Sequence, residues 1–153
     1  MGIENGDVVA KGVRAGNAFL WANHDLTLVE SQLQTTSNLN LLAQNIVRVR
    51  DSVTNPFLAQ AGSSLYIQGN QGIDILALNH LSQTPFTSGS NLSLVSDRII
   101  SGDAHFSSGG SFSILNLAGQ GGNFVSLYDP IIATAKAVKS LCEAQLPLHP
   151  SDS

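Results

Sequence analysis

Asp103 and His105 stand one residue apart, directly ahead of the serine pair Ser107-Ser108. On a strand, residues i and i+2 share a face. A carboxylate there would orient an imidazole beside candidate nucleophiles, which is the logic of a hydrolase. Against this, the chain has no Gly-x-Ser-x-Gly elbow, and serine is abundant along its whole length. The histidines, His24, His80, His105 and His149, show no His-x-His or His-x-x-x-His spacing, whereas a metal site wants three or more converging ligands. No catalytic, cofactor-binding or metal-ligating residue is assigned.

Glycine pairs raise a second chemistry. Gly69-Asn70-Gln71-Gly72 follows the apolar string Leu65-Tyr66-Ile67, as a phosphate-cradling loop would. A dinucleotide fingerprint then requires a helix, and a Walker loop requires Gly-Lys-Ser/Thr. Here the continuation is Ile73-Asp74-Ile75, another strand-like run with no lysine nearby. Gly119–Asn123 passes in the same way into Phe124-Val125-Ser126-Leu127. Gly69, Gly72, Gly89 and Gly110 are therefore read as structural turns.

Composition narrows the classes. Charged residues make up 12% of the chain, about half the usual ~25%, so its polarity comes from Ser, Asn, Gln and Gly. Seven basic against eleven acidic residues leave a net charge of −4. Without clustered Lys and Arg, nucleic-acid binding is excluded. A single cysteine, Cys142, rules out a disulfide or Cys-based zinc site within the chain. The opening "MGIENGDVVAKG" has neither a signal peptide's basic and apolar regions nor the usual myristoylation pattern. If the protein is exported, the signal lies outside this chain.

The elements that must position these residues repeat. Five stretches open with Asn or Ser and continue apolar-x-apolar-x-small: Ala18/Leu20/Ala22, Leu39/Leu41/Ala43, Leu65/Ile67/Gly69, Leu92/Leu94/Ser96 and Phe112/Ile114/Asn116. A second strand keeps the same offsets in Leu26-Thr-Leu28, Val47-Arg-Val49 and Ile73-Asp-Ile75, with Ile99-Ile100 less well aligned. Period-2 units of 20 to 27 residues punctuated by Gly, Ser and Asn predict an all-β, right-handed parallel β-helix of about five coils. Each coil buries its apolar face only by stacking on the next. Leucine-rich repeats are set aside, because their asparagine ladder and helical return segment are not seen. The two longer units share the words Asn55-Pro56-Phe57 and Thr84-Pro85-Phe86, which predicts equivalent loops bulging from one side at 52–62 and 79–89.

The same stacking revives a carbohydrate-active reading. Asp51, Asp74, Asp97 and Asp103 are candidates for a carboxylate set on neighbouring coils, with Arg48, Arg50 and Arg98 nearby. One aspartate per coil is equally what solvated turns supply. Trp21 and Tyr66, read as outward-facing on adjacent units, suit stacking on sugars or a plain surface role.

The organisation expected is a lead-in at 1–14, solenoid repeats at 15–128, and a helix-like cap and tail at 129–153. Asp129 and Pro130 would open a capping helix presenting Ile131, Ala135, Val138, Cys142 and Leu146 on one face. Continuation of Pro130-Ile131-Ile132 as a strand is the alternative.

The words "LYIQGNQGIDILALNH" (65–80), "SGSNLSLVSDRIISGDAHFSSGGSFSI" (88–114) and "SLYDPII" (126–132) resemble the repeat region of filamentous haemagglutinin-like exoproteins. The likeness runs over roughly residues 15–132. It implies a right-handed parallel β-helix, secretion through an outer-membrane partner pore of a two-partner system, and adhesion or aggregation at the cell surface. Partners implied are host or neighbouring-cell glycans or proteins. The family's Asn-rich secretion domain is absent from this chain, and the run after Ile132 departs from its pattern, as in a fragment of the repeat region. The expectation is a non-enzymatic, secreted, surface-associated adhesin segment without cofactors. A β-helical polysaccharide lyase or hydrolase, and a purely structural spacer, are the alternatives.

Overall fold

The computed structural model describes residues 8–9, 11–79, 83–126, 132–134 and 137–139. Two strands lead in, β1 (Val8–Val9) and β2 (Gly12–Ala15). Five coils of three strands follow. The first has β3 (Ala18–Ala22), β4 (Leu26–Val29) and β5 (Gln32–Thr35); the second has β6 (Leu39–Ala43), β7 (Ile46–Arg50) and β8 (Leu58–Ala61). The third has β9 (Leu65–Gly69), β10 (Gly72–Leu76) and β11 (Phe86–Ser88); the fourth has β12 (Leu92–Val95), β13 (Ile99–Asp103) and β14 (His105–Ser108). The fifth has β15 (Ser111–Leu115), β16 (Asn123–Val125) and β17 (Ile132–Thr134), and β18 (Ala137–Lys139) lies beyond it. Every coil-to-coil pairing is parallel, giving three sheets of six strands. Sheet 1 runs from β3 to β18, sheet 2 from β1 to β16, and sheet 3 from β2 to β17. The fold is a parallel β-solenoid.

Register follows the sequence columns. Ala18, Leu39, Leu65, Leu92 and Phe112 are successive partners in sheet 1. Leu26, Val47, Ile73 and Ile100 are successive partners in sheet 2. These columns are fully buried, and each Leu or Ile contributes about 1.5–3 kcal/mol by leaving water. An aromatic stack runs through the core from the β7–β8 insertion along sheet 3 to Phe112 of sheet 1. Phe57, Phe86, Phe106 and Phe112 pack in sequence, with ring centroids 5.2, 4.9 and 5.3 Å apart.

Two expectations change. The segments at 52–62 and 79–89 are not loops throughout, because their second halves are β8 and β11, strands of sheet 3. Among the described residues the insertions cover 51–57, 77–79 and 83–85, and Asn79 ties them together. Its N–H donates to Asp51 Oδ2 at 2.8 Å and its side-chain amide to Ser52 O at 2.9 Å. Nor are the two Pro-Phe words equivalent: Phe86 pairs with Ala59, not Phe57.

At the C-terminus, no helix occurs among the described residues. Ile132–Thr134 and Ala137–Lys139 are strands that pair with β14 and β15. The open edges of β14 in the fourth coil and β15 in the fifth offer rows of backbone partners, and tertiary pairing overrides an intrinsic helical pattern. The rest of the expected capping helix, with Cys142 and Leu146, lies outside the described residues. Coil pairing therefore extends beyond 15–128 on both sides.

The asparagines opening three of the five units have a structural task. Asn17 Oδ1 accepts the N–H of Asn38, Asn38 Oδ1 that of Ser64, and Asn91 Oδ1 that of Ser111, each at 3.1 Å. Each side chain thus carries the backbone ladder across a corner where strand pairing lapses. Asn38→Ala removes the acceptor of the Ser64 N–H, and we expect a loss of about 1 kcal/mol. This corresponds to a melting temperature lower by about 2–4 °C in thermal unfolding.

Candidate functional site

The residues that suggested hydrolysis do not come together. Ala104 is the corner between β13 and β14, so Asp103 and His105 belong to different sheets rather than to one face. Asp103 is buried, and its Oδ1 accepts the Ser126 hydroxyl at 2.9 Å. The half-exposed His105 starts β14. Ser107 faces outward, whereas Ser108 is buried and its hydroxyl contacts the carbonyls of Ser90 and Ser111 at 2.6 and 2.9 Å. His24 lies at a corner, 3.3 Å from the Asn45 amide and 3.7 Å from Asp25. His80 and His149 lie outside the described residues. Among the described residues no group of three His, Cys, Asp or Glu is placed to hold a metal ion.

The aspartate set is only partly brought together: Asp74 and Asp97 line one groove with Arg98, whereas Asp51 and Asp103 stand apart. Asp51 braces the insertions, Asp103 points inward, and Asp97 sits in the β12–β13 turn, where Oδ1 accepts the Leu117 N–H at 2.9 Å. Asp74 alone joins the arginines. It is opposite Arg48 in the ladder, and its Oδ2 lies 2.8 Å from Arg50 Nη2 and 3.8 Å from Arg48 Nε. All three are partly exposed, so the network is worth little on its own. Beside it an open groove of about 610 Å³ runs along sheet 2, lined by Gln71, Asp74, Asp97, Arg98, Ser101 and Asn123. Arg98 Nε donates to Gln71 Oε1 across it at 3.4 Å. This groove combines hydrogen-bonding groups of both kinds with the exposed side chain of Ile99.

The glycine loop is a corner. A Cβ on Gly69 would overlap the Gly72 carbonyl oxygen, and Gly72 has φ +150, a backbone that disfavours side chains. Gly89 and Gly110 sit at the sheet 3 to sheet 1 corner. A Cβ on Gly89 would overlap Gly62 O, and one on Gly110 would come within 2.6 Å of Asn91 Oδ1. Their neighbour Gly109, not singled out in the sequence, meets the same constraint from Gly89 O.

Sheet 1 carries the aromatics. Trp21 and Tyr66 are two coils apart rather than adjacent, and they stand in different columns. Phe19, Asn40 and Tyr66 form one outward column, and Trp21, Leu42 and Gln68 the next. The Tyr66 hydroxyl donates to Gln68 Oε1 at 2.7 Å, and Gln68 Nε2 donates to Asn70 Oδ1 at 2.8 Å. Burial of the ring raises the Tyr66 phenol above its ordinary pKa. Comparisons with protein families, curated proteins and solved structures give no match.

A second polar cluster gave no sequence signal beyond a single acidic residue. Glu30 is the one non-glycine residue with positive φ among those described, at 52°. Its Oε2 accepts the Ser52 hydroxyl at 2.6 Å, and Lys11 Nζ lies 3.8 Å from Oε1. The Ser52 hydrogen bond, then that of Asn55, holds the Glu30 carboxyl below the ordinary glutamate pKa. A depressed carboxyl supports the fold above its unfolded pKa, and this support is lost as pH falls through the folded value. Ser52→Ala should raise the Glu30 midpoint in a carboxyl-carbon NMR titration.

Proposed function

We propose that this chain is a non-enzymatic segment of a secreted, surface-associated adhesin of the filamentous haemagglutinin-like kind, acting in cell adhesion or aggregation. The observation that carries the reading is where the recurring polar side chains go. Asn17, Asn38 and Asn91 hold the backbone of the next coil, and Asp51, Asp97 and Asp103 brace loops and corners. A scaffold built this way presents a long neutral outer face on sheet 1 and a few charges on the other two, suited to many weak contacts with host or neighbouring-cell glycans or proteins. On this reading the full-length protein passes through an outer-membrane partner pore and needs no cofactor.

The test is to apply the labelled chain to a panel of cells while assaying a polysaccharide panel for new reducing ends or unsaturated products. Saturable cell binding without turnover is the expected result. Turnover would replace this reading with that of a β-helical carbohydrate-active enzyme. Absence of both would leave a spacer.

A further inference from the structure

The outer face of sheet 1 differs from the other two in having no charge along β3, β6, β9 and β12. Its outward positions there are Phe19, Trp21, Asn40, Leu42, Tyr66 and Gln68, followed by Ser93. Sheet 2 carries Arg48, Arg50 and Asp74 outward, and sheet 3 carries Arg14. Three of the chain's nine aromatic residues therefore meet on one neutral patch. Phe19 remains 45% exposed there. Single surface aromatics need no explanation, but Phe19 and Trp21 on one strand, with Leu42 on the rung beside Trp21 and Tyr66 two rungs from Phe19, do.

We propose that this face binds an uncharged polysaccharide, with the aromatic rings stacking on the C–H faces of the sugars and the amides meeting their hydroxyls. Stacked coils repeat at about 4.8 Å, so Phe19 and Tyr66 are about 10 Å apart across the Asn40 rung. That aromatic–amide–aromatic column matches alternate rings of an extended hexopyranose chain lying across the strands. The Tyr66–Gln68–Asn70 relay fixes the polar row before a ligand arrives, which lowers the ordering cost of binding. Gln68 keeps its second amide hydrogen for a sugar oxygen. Among the described residues nothing covers this face, since only two or three residues separate β3, β6 and β9 from their neighbours in the chain, and the described parts of both insertions lie between sheet 2 and sheet 3. A charged polymer would find no counter-ion on this patch, so the absence of ionised groups selects a neutral ligand over an anionic one.

This inference rests on the adhesive reading and names its ligand class. Trp21 is the sole tryptophan, so its emission reports on the patch directly. We would titrate the chain with cellohexaose, laminarihexaose and a neutral galactomannan, with heparin and polygalacturonate as charged comparators. At least one neutral probe should give a saturable emission change that is insensitive to salt. Tyr66→Ala and Phe19→Ala should each weaken it about tenfold while leaving thermal unfolding of the free chain nearly unchanged. If a variant fails to fold, Tyr66→Phe, which keeps the ring and breaks the relay, should still lower affinity. Failure of every neutral probe, equal binding by the variants, or preference for the charged probes would overturn the proposal. So would concentration-dependent self-association abolished by Tyr66→Ala, since a second copy would then cover the face. Cell binding measured in parallel separates the two readings. Cells bound without a glycan response sink this inference alone, and a glycan response without cell binding sinks only the adhesin.

Discussion

Phe86→Ala is expected to destabilise the solenoid by about 3–5 kcal/mol, measured as a lower denaturation midpoint in urea with an unchanged slope. Phe86 is fully buried in β11 between two other rings, Phe57 at 5.2 Å and Phe106 at 4.9 Å. Its removal both exposes the lost transfer energy and opens a gap midway along the aromatic stack. Closing that gap would require one coil to shift against the next. The parallel ladders that join Phe86 to Ala59 and to Phe106 oppose such a shift. In a solenoid each coil is stabilised chiefly by its two neighbours, so a hole at a coil interface weakens coupling along the axis as well as locally. Phe57→Ala, at the end of the stack and in an insertion, should cost less. A loss below about 1 kcal/mol for Phe86 would mean that the stack relaxes into the space and the rings act as filler.

The parts of this fold legible in the sequence are those where large apolar residues alternate strictly. Leu39/Leu41, Leu65/Ile67 and Leu92/Leu94 in sheet 1, and Val47/Val49 with Ile73/Ile75 in sheet 2, set the register to the residue. Sheet 3 was hidden because its inward corner positions are small or polar. Thr35, Ala61, Ser88 and Ser108 occupy equivalent places, and strands such as Gln32–Thr35 scarcely alternate in hydrophobicity. Two Pro-Phe words suggested a loop equivalence that the ladder shifts by two residues. At the C-terminus, Val138 of the expected helical face fits a strand equally well, and only the unpaired edge of the fifth coil decides between them. Candidate chemistry was legible as residue types but not as geometry. A one-residue corner at Ala104 separates Asp103 from His105, and nothing in the sequence marks a corner there. Trp21 and Tyr66 were readable as outward-facing, but their columns became visible only once the coils were stacked.

Gly89→Ala is expected to cost about 2–3 kcal/mol, at the upper end for overpacking, although it adds a single methyl group to an exposed residue. The reason lies in the column Gly16, Thr36, Gly62, Gly89 and Gly109 at the sheet 3 to sheet 1 corner. A Cβ on Gly89 would overlap the Gly62 carbonyl oxygen, just as one on Gly109 would overlap that of Gly89. Those backbones are held from both sides: Gly89 N–H donates to Ala61 O at 3.0 Å, and Ser90 N–H donates to Ser63 O at 2.8 Å. Relief of the overlap therefore has to break a rung of the ladder rather than turn a side chain. Gly16→Ala provides the comparison within the same column. There the nearest atom to a new Cβ is Thr36 Oγ1 at 3.8 Å, an ordinary contact, and φ is not positive. That change should be neutral or should stabilise by about 0.4–1 kcal/mol through the unfolded chain. Amide hydrogen exchange localises the effect: in Gly89→Ala the Gly89, Ser90 and Gly109 amides should lose protection together. Equal penalties at Gly16 and Gly89 would show that these glycines answer to a local turn, whereas a penalty confined to Gly89 would show that the stacking of one coil on the next requires them.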